Sequence, residues 1–144
     1  MSAPVELISN VPLFKGLSQK ELKTLADNFT QRQFREGTEL TAEGQGGVGF
    51  FVIEAGKAVV TVDGHERATL GPGDYFGEIA LIDGGARTAT ITALSDGTSY
   101  GLTPWQFRPL VESNATIAWP LLEAMAKRTR DLEGQLHSAS APAA

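Results

Sequence analysis

The 144-residue sequence contains no cysteine and only two histidines, His65 and His137. Without cysteine the chain forms no disulfide, offers no thiolate to zinc and carries no thiol nucleophile. A small metal-dependent β-barrel enzyme would need clustered imidazole and carboxylate ligands, which two distant histidines do not supply. No nucleophile, histidine and acid form a recognisable catalytic set either. The composition therefore argues against an enzyme and against a bound metal.

Long apolar runs and an excess of positive charge are also missing from the chain. No run is long enough to span a membrane, and residues 1–6 lack the basic and apolar regions of a signal peptide, which predicts a cytoplasmic protein. The formal net charge of −5 argues against a general nucleic-acid surface. The length suits one domain with a real hydrophobic core.

Helical signals occupy the two ends of the sequence. In residues 1–28, Ser18 followed by Glu21 forms a capping-box pattern before apolar residues at helical spacing. In residues 103–134, Thr103 is followed by a proline and then by a glutamine at the capping-box position. The small and polar residues 135–144 predict a disordered tail.

Short strand-like runs separated by glycine turns fill residues 29–102. Asp63-Gly64 lies between two β-branched runs and predicts a hairpin. Strands this short and evenly spaced predict an antiparallel barrel or jelly roll. The expected fold is therefore mainly β, an antiparallel β-roll (a double-stranded jelly-roll barrel) with N-terminal helices and two C-terminal helices, in one domain over residues 1–134.

The segment from Phe76 to Thr90 combines a glycine turn, a carboxylate, a short apolar turn and an arginine before a β-branched strand. Gly77 allows a tight turn close to a ligand. Arg87 offers a permanent charge and a fork of donors suited to two phosphate oxygens. Glu78 is an acceptor when ionised, so it suits sugar hydroxyls rather than phosphate. The pair predicts a ligand with both a sugar hydroxyl and a phosphate.

Phe76 to Ile91 resembles the phosphate-binding cassette of the cyclic nucleotide-binding domain family, which reads F-G-E-[apolar]-A-[apolar], a short gap, then R-[ST]-A-[ST]-[apolar]. The match has no insertion and includes the spacing from Glu78 to Arg87. The resemblance covers roughly residues 10–133 and implies a β-roll flanked by helices, in a stand-alone domain of bacterial, cAMP-receptor-like type. A simple structural salt bridge between Glu78 and Arg87 is the alternative.

The resemblance also implies a role for each cassette position. Arg87 would pair with the cyclic phosphate and Glu78 would accept from the ribose 2′-hydroxyl. Thr88 would contact the phosphate and could reach the amino group of a guanine, although threonine is also simply common in strands. The complete set of ligand-binding candidates in this segment is Gly77, Glu78, Ile79, Ala80, Arg87, Thr88 and Ala89. The first amides of the short turn after Gly77 are expected to be free and to point at an anion.

The last helix resembles the family's lid over the base. Met125 and Arg128 are the candidates for contact with the purine, by apolar cover and by stacking, and their alternative roles are a core methionine and a surface arginine. Asn114 is predicted to cap this helix, and its buried stripe is predicted to be Ile117, Leu121, Met125 and Leu132. The loop Gln45–Gly49 lacks the carboxylate that the family usually has there.

The sequence thus predicts a non-catalytic sensor that binds a cyclic nucleotide, cAMP in the first place and cGMP as the alternative. Movement of the cassette and the last helix would pass the signal to an unidentified protein effector or to a second copy of the chain, without any further cofactor. A regulatory fragment of a larger channel, kinase or transcription factor is a second interpretation. The start at Met1 favours a stand-alone protein or a terminal module. A small β-barrel enzyme and a domain that has lost its ligand are the weaker alternatives.

Overall fold

The structure, a computed structural model, describes residues 3–41, 49–84 and 89–140, with side chains as far as His137. Short helices form the N-terminal part of the chain. Helix α1 (Val5–Ser9) and a 3₁₀ turn (Pro12–Phe14) precede helix α2 (Gln19–Ala26). The predicted capping box is confirmed, because the Ser18 hydroxyl accepts from the Glu21 amide and the Glu21 carboxylate accepts from the Ser18 amide.

Two four-stranded antiparallel sheets follow, with β1, β8, β3 and β6 in one sheet and β2, β7, β4 and β5 in the other. The strands are β1 (Thr30–Phe34), β2 (Glu39–Thr41), β3 (Phe50–Ala55), β4 (Ala58–Val62), β5 (His65–Leu70), β6 (Tyr75–Phe76), β7 (Thr90–Ala93) and β8 (Gly97–Leu102). Helix α3 (Ala80–Asp83) lies between β6 and β7. The antiparallel β-roll predicted for residues 29–102 is confirmed.

The hairpin between β4 and β5 turns at Asp63 and Gly64. Both residues have positive φ angles, 52° and 77°, and Val62 pairs with His65 across the turn. Two consecutive residues with positive φ form a type I′ turn, whose twist matches that of the flanking strands. The hairpin prediction is therefore confirmed.

Two hydrophobic cores lie on opposite sides of the first sheet's strands. The first joins the N-terminal helices to the C-terminal helices and includes Phe14 and Phe50, whose rings meet edge to face with centroids 5.8 Å apart. The second fills the roll between the sheets and includes Ile53, Ala89 and Ile91. Leu81 of α3 belongs to the first core and Ala89 to the second, so the cassette is anchored in both.

Two helices close the fold, α4 (Pro104–Ser113) and α5 (Ala115–Ser140). The predicted cap at Thr103 is confirmed, with Gln106 completing the box. Asn114 directly precedes α5, and its carbonyl accepts from the Ile117 amide at 2.9 Å, while its side-chain amide donates to the Leu110 carbonyl at 2.8 Å. Gly16 permits close approach of α5, since a Cβ there would lie 3.1 Å from the Cβ of Pro120.

Helix α5 is partly buried in its first half and exposed in its second half. Ile117 and Leu121 are buried in the first core and Met125 is half-buried, as the stripe predicted. Leu132 is 50% exposed, so its assignment to that stripe is wrong, and all of residues 126–137 are exposed. The helix also continues to Ser140. The disordered tail predicted from residue 135 is therefore wrong for residues 135–140, where glutamine and leucine favour a helix. Within the described ranges, none of the helices is both long and apolar enough to cross a bilayer.

Candidate functional site

The cassette begins where β6 ends against β3. Phe76 pairs with Phe51 in the sheet, and the next residue, Gly77, has a φ of 92°. A residue with a Cβ is strained at that angle, so glycine is what allows the chain to leave the strand here. Helix α3 ends at Gly84, which has a φ of 65° and donates its amide to the Ala80 carbonyl at 2.9 Å. Two glycines with positive φ therefore frame the Glu78 segment.

The amides at the start of α3 are already used within the cassette. Ala80 donates to the Gly77 carbonyl at 3.1 Å, and Leu81 donates to the Glu78 carbonyl at 3.3 Å. The expectation that the first amides of this turn are free is therefore wrong for these two residues. In this tight turn each N–H meets the carbonyl three residues earlier in the chain. The first amides of an ordinary α-helix have no such partner. An anion bound at Ala80 would have to share the Ala80 N–H with the Gly77 carbonyl.

Glu78 is a buried carboxylate held by an arginine from α5. Its side chain is 11% exposed, and Nη1 of Arg128 donates to Oε1. A buried charge needs such a partner, because removal from water is otherwise costly. The bond engages one carboxylate oxygen, and the second oxygen of a carboxylate can accept further hydrogen bonds. The pair with Arg128 therefore fixes the position of the Glu78 carboxylate at the cleft.

The sequence did not predict this ion pair. Arg128 was assigned to the purine face, whereas the structure places its guanidinium on the carboxylate predicted to hold the ribose. The two residues are 50 positions apart, on different elements, and no local pattern links them. The position of α5 across the cassette is what brings them together.

A cleft of about 1320 Å³ lies between the cassette, the 3₁₀ turn and α5. It brings together six of the nine predicted ligand-binding residues. These are Gly77, Glu78, Ile79, Ala80, Met125 and Arg128. Because the cassette and α5 form facing walls, a ligand in the cleft would touch both.

Of the three remaining candidates, Ala89 alone belongs to the described residues, and it does not line the cleft. Ala89 is 2% exposed in the core of the roll, and its carbonyl accepts from the Thr41 hydroxyl at 3.2 Å. Arg87 and Thr88 lie outside the described residues, as does the loop Gln45–Gly49 except for its last residue. Their roles stay predictions from the sequence.

Several polar residues of the cleft were missed by the sequence reasoning. Tyr75 lies on β6 beside the cassette, and burial raises the pKa of its hydroxyl, with the negative charge of Glu78 acting in the same direction. Tyr75 therefore remains a neutral hydrogen-bond donor at ordinary pH. Lys15 and Lys127 also line the cleft, together with acidic side chains. Tyr75 directly precedes the Phe-Gly-Glu motif, and that position was the available signal.

Metal ligation finds no support in the part of the chain that is described. Over residues 3–41, 49–84 and 89–140, no group of three or more histidine or acidic side chains is placed to hold a metal ion. The acidic residues of the cleft are instead interleaved with Lys15, Lys127 and Arg128.

Comparison with known proteins identifies the family. The model of the cyclic nucleotide-binding domain matches residues 31–114, which include the cassette and most of the β-roll. This is more than half of the chain, and the chain belongs to the cyclic nucleotide-binding domain family.

Individual relatives agree with this membership. The cyclic AMP receptor protein of Thermus thermophilus is 30% identical over 87% of this chain and 60% of its own length. The N-terminal domain of a transcriptional regulator from Streptomyces coelicolor has a TM-score of 0.80 at 30% identity, covering 88% of this chain and 94% of that one. The regulatory domain of Toxoplasma gondii PKA, solved with cAMP, has a TM-score of 0.67 at 30% identity, covering 78% and 44%. The chain spans between 20% and 60% of the length of its first curated relatives.

Proposed function

We propose that the chain binds cAMP in the cleft between the cassette and α5 and acts as a non-catalytic sensor. The observation that carries this proposal is the buried Glu78 carboxylate on the cassette turn, fixed by Arg128 and facing a ligand-sized cleft. A carboxylate in that position accepts from a sugar hydroxyl and repels a phosphate. The relatives named above as a cyclic AMP receptor protein and as a cAMP complex support the choice of cyclic nucleotide.

In the proposed complex each part of the nucleotide meets a different element. Glu78 accepts from the ribose 2′-hydroxyl, Arg87 pairs with the cyclic phosphate, and Met125 covers the base from α5. Arg128 acts as a positioning residue, because it orients the Glu78 carboxylate rather than stacking on the purine. Ligand that bridges the cassette and α5 favours the conformation in which both contact it, and this population shift is the signal.

The second part of the proposal concerns whether the domain acts alone or as part of a larger protein. The relatives are longer than this chain, so a role as the regulatory module of a larger transcription factor or kinase is the alternative to a stand-alone sensor. A preference for cGMP is the alternative for the ligand. A cytoplasmic location stays a prediction of the sequence.

The proposal is tested by thermal unfolding with nucleotides. At about a hundred times its dissociation constant, cAMP should stabilise the fold by roughly 2.7 kcal/mol, which raises the melting temperature by several degrees. We expect 5′-AMP to raise it much less, because its terminal phosphate is a dianion with a different shape from the cyclic diester. Adenosine serves as the control for the base and sugar alone. Equal shifts with cAMP and 5′-AMP would show that the cyclic phosphate is not recognised, and no shift with cAMP or cGMP would refute the proposal.

Selectivity is tested at Thr88. Replacement by alanine should weaken the binding of cGMP more than that of cAMP, because only guanine has a 2-amino group that could reach the threonine hydroxyl. One lost hydrogen bond corresponds to roughly 0.5–1.5 kcal/mol, or about a two- to twelvefold loss. Titration calorimetry with both nucleotides measures the difference, and Thr69→Ala on the exposed strand β5 is the matched control. Equal losses would assign Thr88 to the phosphate alone.

A further inference from the structure

Tyr75 lies on β6 and lines the cleft directly before the glycine turn of the cassette. Its ring packs against Phe50, with centroids 6.1 Å apart. The next side chain, Phe76, packs against Phe51 and the core inside the roll. Neighbouring side chains of a strand point to opposite faces of the sheet. Packing on both faces therefore holds β6, and with it the Tyr75 ring, in place.

The hydroxyl of Tyr75 lies within electrostatic reach of both members of the Glu78–Arg128 ion pair. Burial raises the pKa of this hydroxyl, the charge of Glu78 raises it further, and the charge of Arg128 lowers it. The phenol is therefore neutral at ordinary pH and keeps its proton for donation. Among the residues that the structure describes, none forms a hydrogen bond with it. A half-buried donor of this kind is available to a ligand in the cleft.

Glu78 and Tyr75 offer complementary hydrogen-bonding groups to the cleft. A carboxylate accepts hydrogen bonds, and a neutral phenol can donate one. A ligand hydroxyl can do both, because it has one O–H and two lone pairs. Such a hydroxyl can donate to Glu78 and accept from Tyr75 at the same time. A phosphate oxygen would suit Tyr75 alone, and an amino group of a base would suit Glu78 alone.

We propose that Tyr75 is a specificity-determining residue, whose hydroxyl donates to the ribose 2′-oxygen of the bound nucleotide while that 2′-hydroxyl donates to Glu78. The inference rests on the proposed function, because it requires a ribose at Glu78. It applies equally to cAMP and cGMP, whose ribose is the same. A sugar without the 2′-hydroxyl leaves two polar groups of the cleft without a partner, so it is rejected more strongly than by the carboxylate alone.

Titration calorimetry of Tyr75→Phe with cAMP and with 2′-deoxy-cAMP tests the proposal. Phenylalanine keeps the ring against Phe50 and removes only the hydroxyl. We expect the affinity for cAMP to fall by about two- to twelvefold, as for one neutral hydrogen bond, and the affinity for the 2′-deoxy analogue to stay the same. Equal losses for the two ligands, or no loss for cAMP, would overturn the proposal. A wild type that binds neither cAMP nor cGMP would instead refute the proposed function, and this inference with it.

Tyr100→Phe is the matched control, because Tyr100 is the other tyrosine of the chain. It is 2% exposed in the same core as the Tyr75 ring, where its hydroxyl accepts from Gln31 at 3.2 Å, and it does not line the cleft. Loss of this hydroxyl should lower the melting temperature and leave the preference for cAMP over 2′-deoxy-cAMP unchanged. If Tyr100→Phe changed that preference as much as Tyr75→Phe, the effect of Tyr75 would come from the fold and the proposal would fail.

A variant at Glu78 gives an independent test of the same contact. Tyr75→Phe added to Glu78→Gln should lower the remaining preference for cAMP over 2′-deoxy-cAMP once more, because the phenol donates to the 2′-oxygen and not to the carboxylate. The comparison is made between two ligands on one protein, so a change in stability alone does not alter it. A preference that is the same in Glu78→Gln with and without the Tyr75 hydroxyl would overturn the proposal.

Discussion

Replacing Arg87 with leucine should lower the affinity for cAMP by roughly two to three orders of magnitude. Leucine keeps much of the apolar bulk of the side chain and suits the strand that follows, but it removes the cassette cation that can grip the phosphate with two parallel hydrogen bonds. Charge-assisted contacts are worth roughly 1.5–3 kcal/mol each, and an unpaired charge in a partly buried site adds about as much again. Titration calorimetry with cAMP measures the loss.

Two further variants make the Arg87 experiment specific. Arg87→Lys should recover only part of the affinity, because a point charge does not reproduce the planar fork of guanidinium donors. Arg67→Leu removes the same charge from the exposed strand β5 and should bind cAMP like the wild type. A leucine variant at position 87 that is unfolded would make this arginine a structural partner of Glu78. Wild-type affinity in a folded variant would mean that the phosphate site has been misplaced.

Replacing Glu78 with glutamine should lower the affinity for cAMP by about 10- to 150-fold, since a hydrogen bond to a charged acceptor is worth roughly 1.5–3 kcal/mol. The side chain is 11% exposed, so water does not readily take the place of the lost acceptor. The sharper measurement compares cAMP with its 2′-deoxy analogue. Wild-type protein should prefer cAMP strongly, and the glutamine variant should show a much smaller preference.

The comparison separates direct recognition from an effect on folding. If Glu78 accepts from the 2′-hydroxyl, the loss on mutation and the loss on deoxygenation should be far from additive. If the variant loses the same factor of affinity for cAMP and for its 2′-deoxy analogue, the carboxylate acts through its pair with Arg128 and not on the ribose. Glu66→Gln on β5 is the matched control, because this exposed carboxylate lies away from the cleft.

Local signals in the sequence predicted local structure well. The caps at Ser18 and Thr103 and the turn at Asp63-Gly64 depend on side-chain to backbone bonds and φ preferences within a few residues. The order of the strands was not predictable in this way. β8 lies between β1 and β3 because of pairings between residues far apart in the chain, which no short pattern encodes.

The same distinction explains the site. Gly77 and Glu78 were predicted from adjacent residues, whereas the pair between Glu78 and Arg128 depends on how α5 crosses the cassette. Along α5 the apolar residues at helical spacing were assigned to one stripe. The structure separates them into a buried face with Ile117 and an exposed face with Leu132, and only the packing of the helix decides which is which.

Arg128 links the position of α5 to the state of the Glu78 carboxylate. Its guanidinium donates to one oxygen of that carboxylate across 50 residues of sequence. A ligand hydroxyl that binds the second oxygen therefore shares the carboxylate with α5. By thermodynamic reciprocity, a ligand that binds more tightly when this ion pair is formed must stabilise the pair by the same free energy. Hydrogen exchange of the α5 amides with and without ligand would measure that coupling.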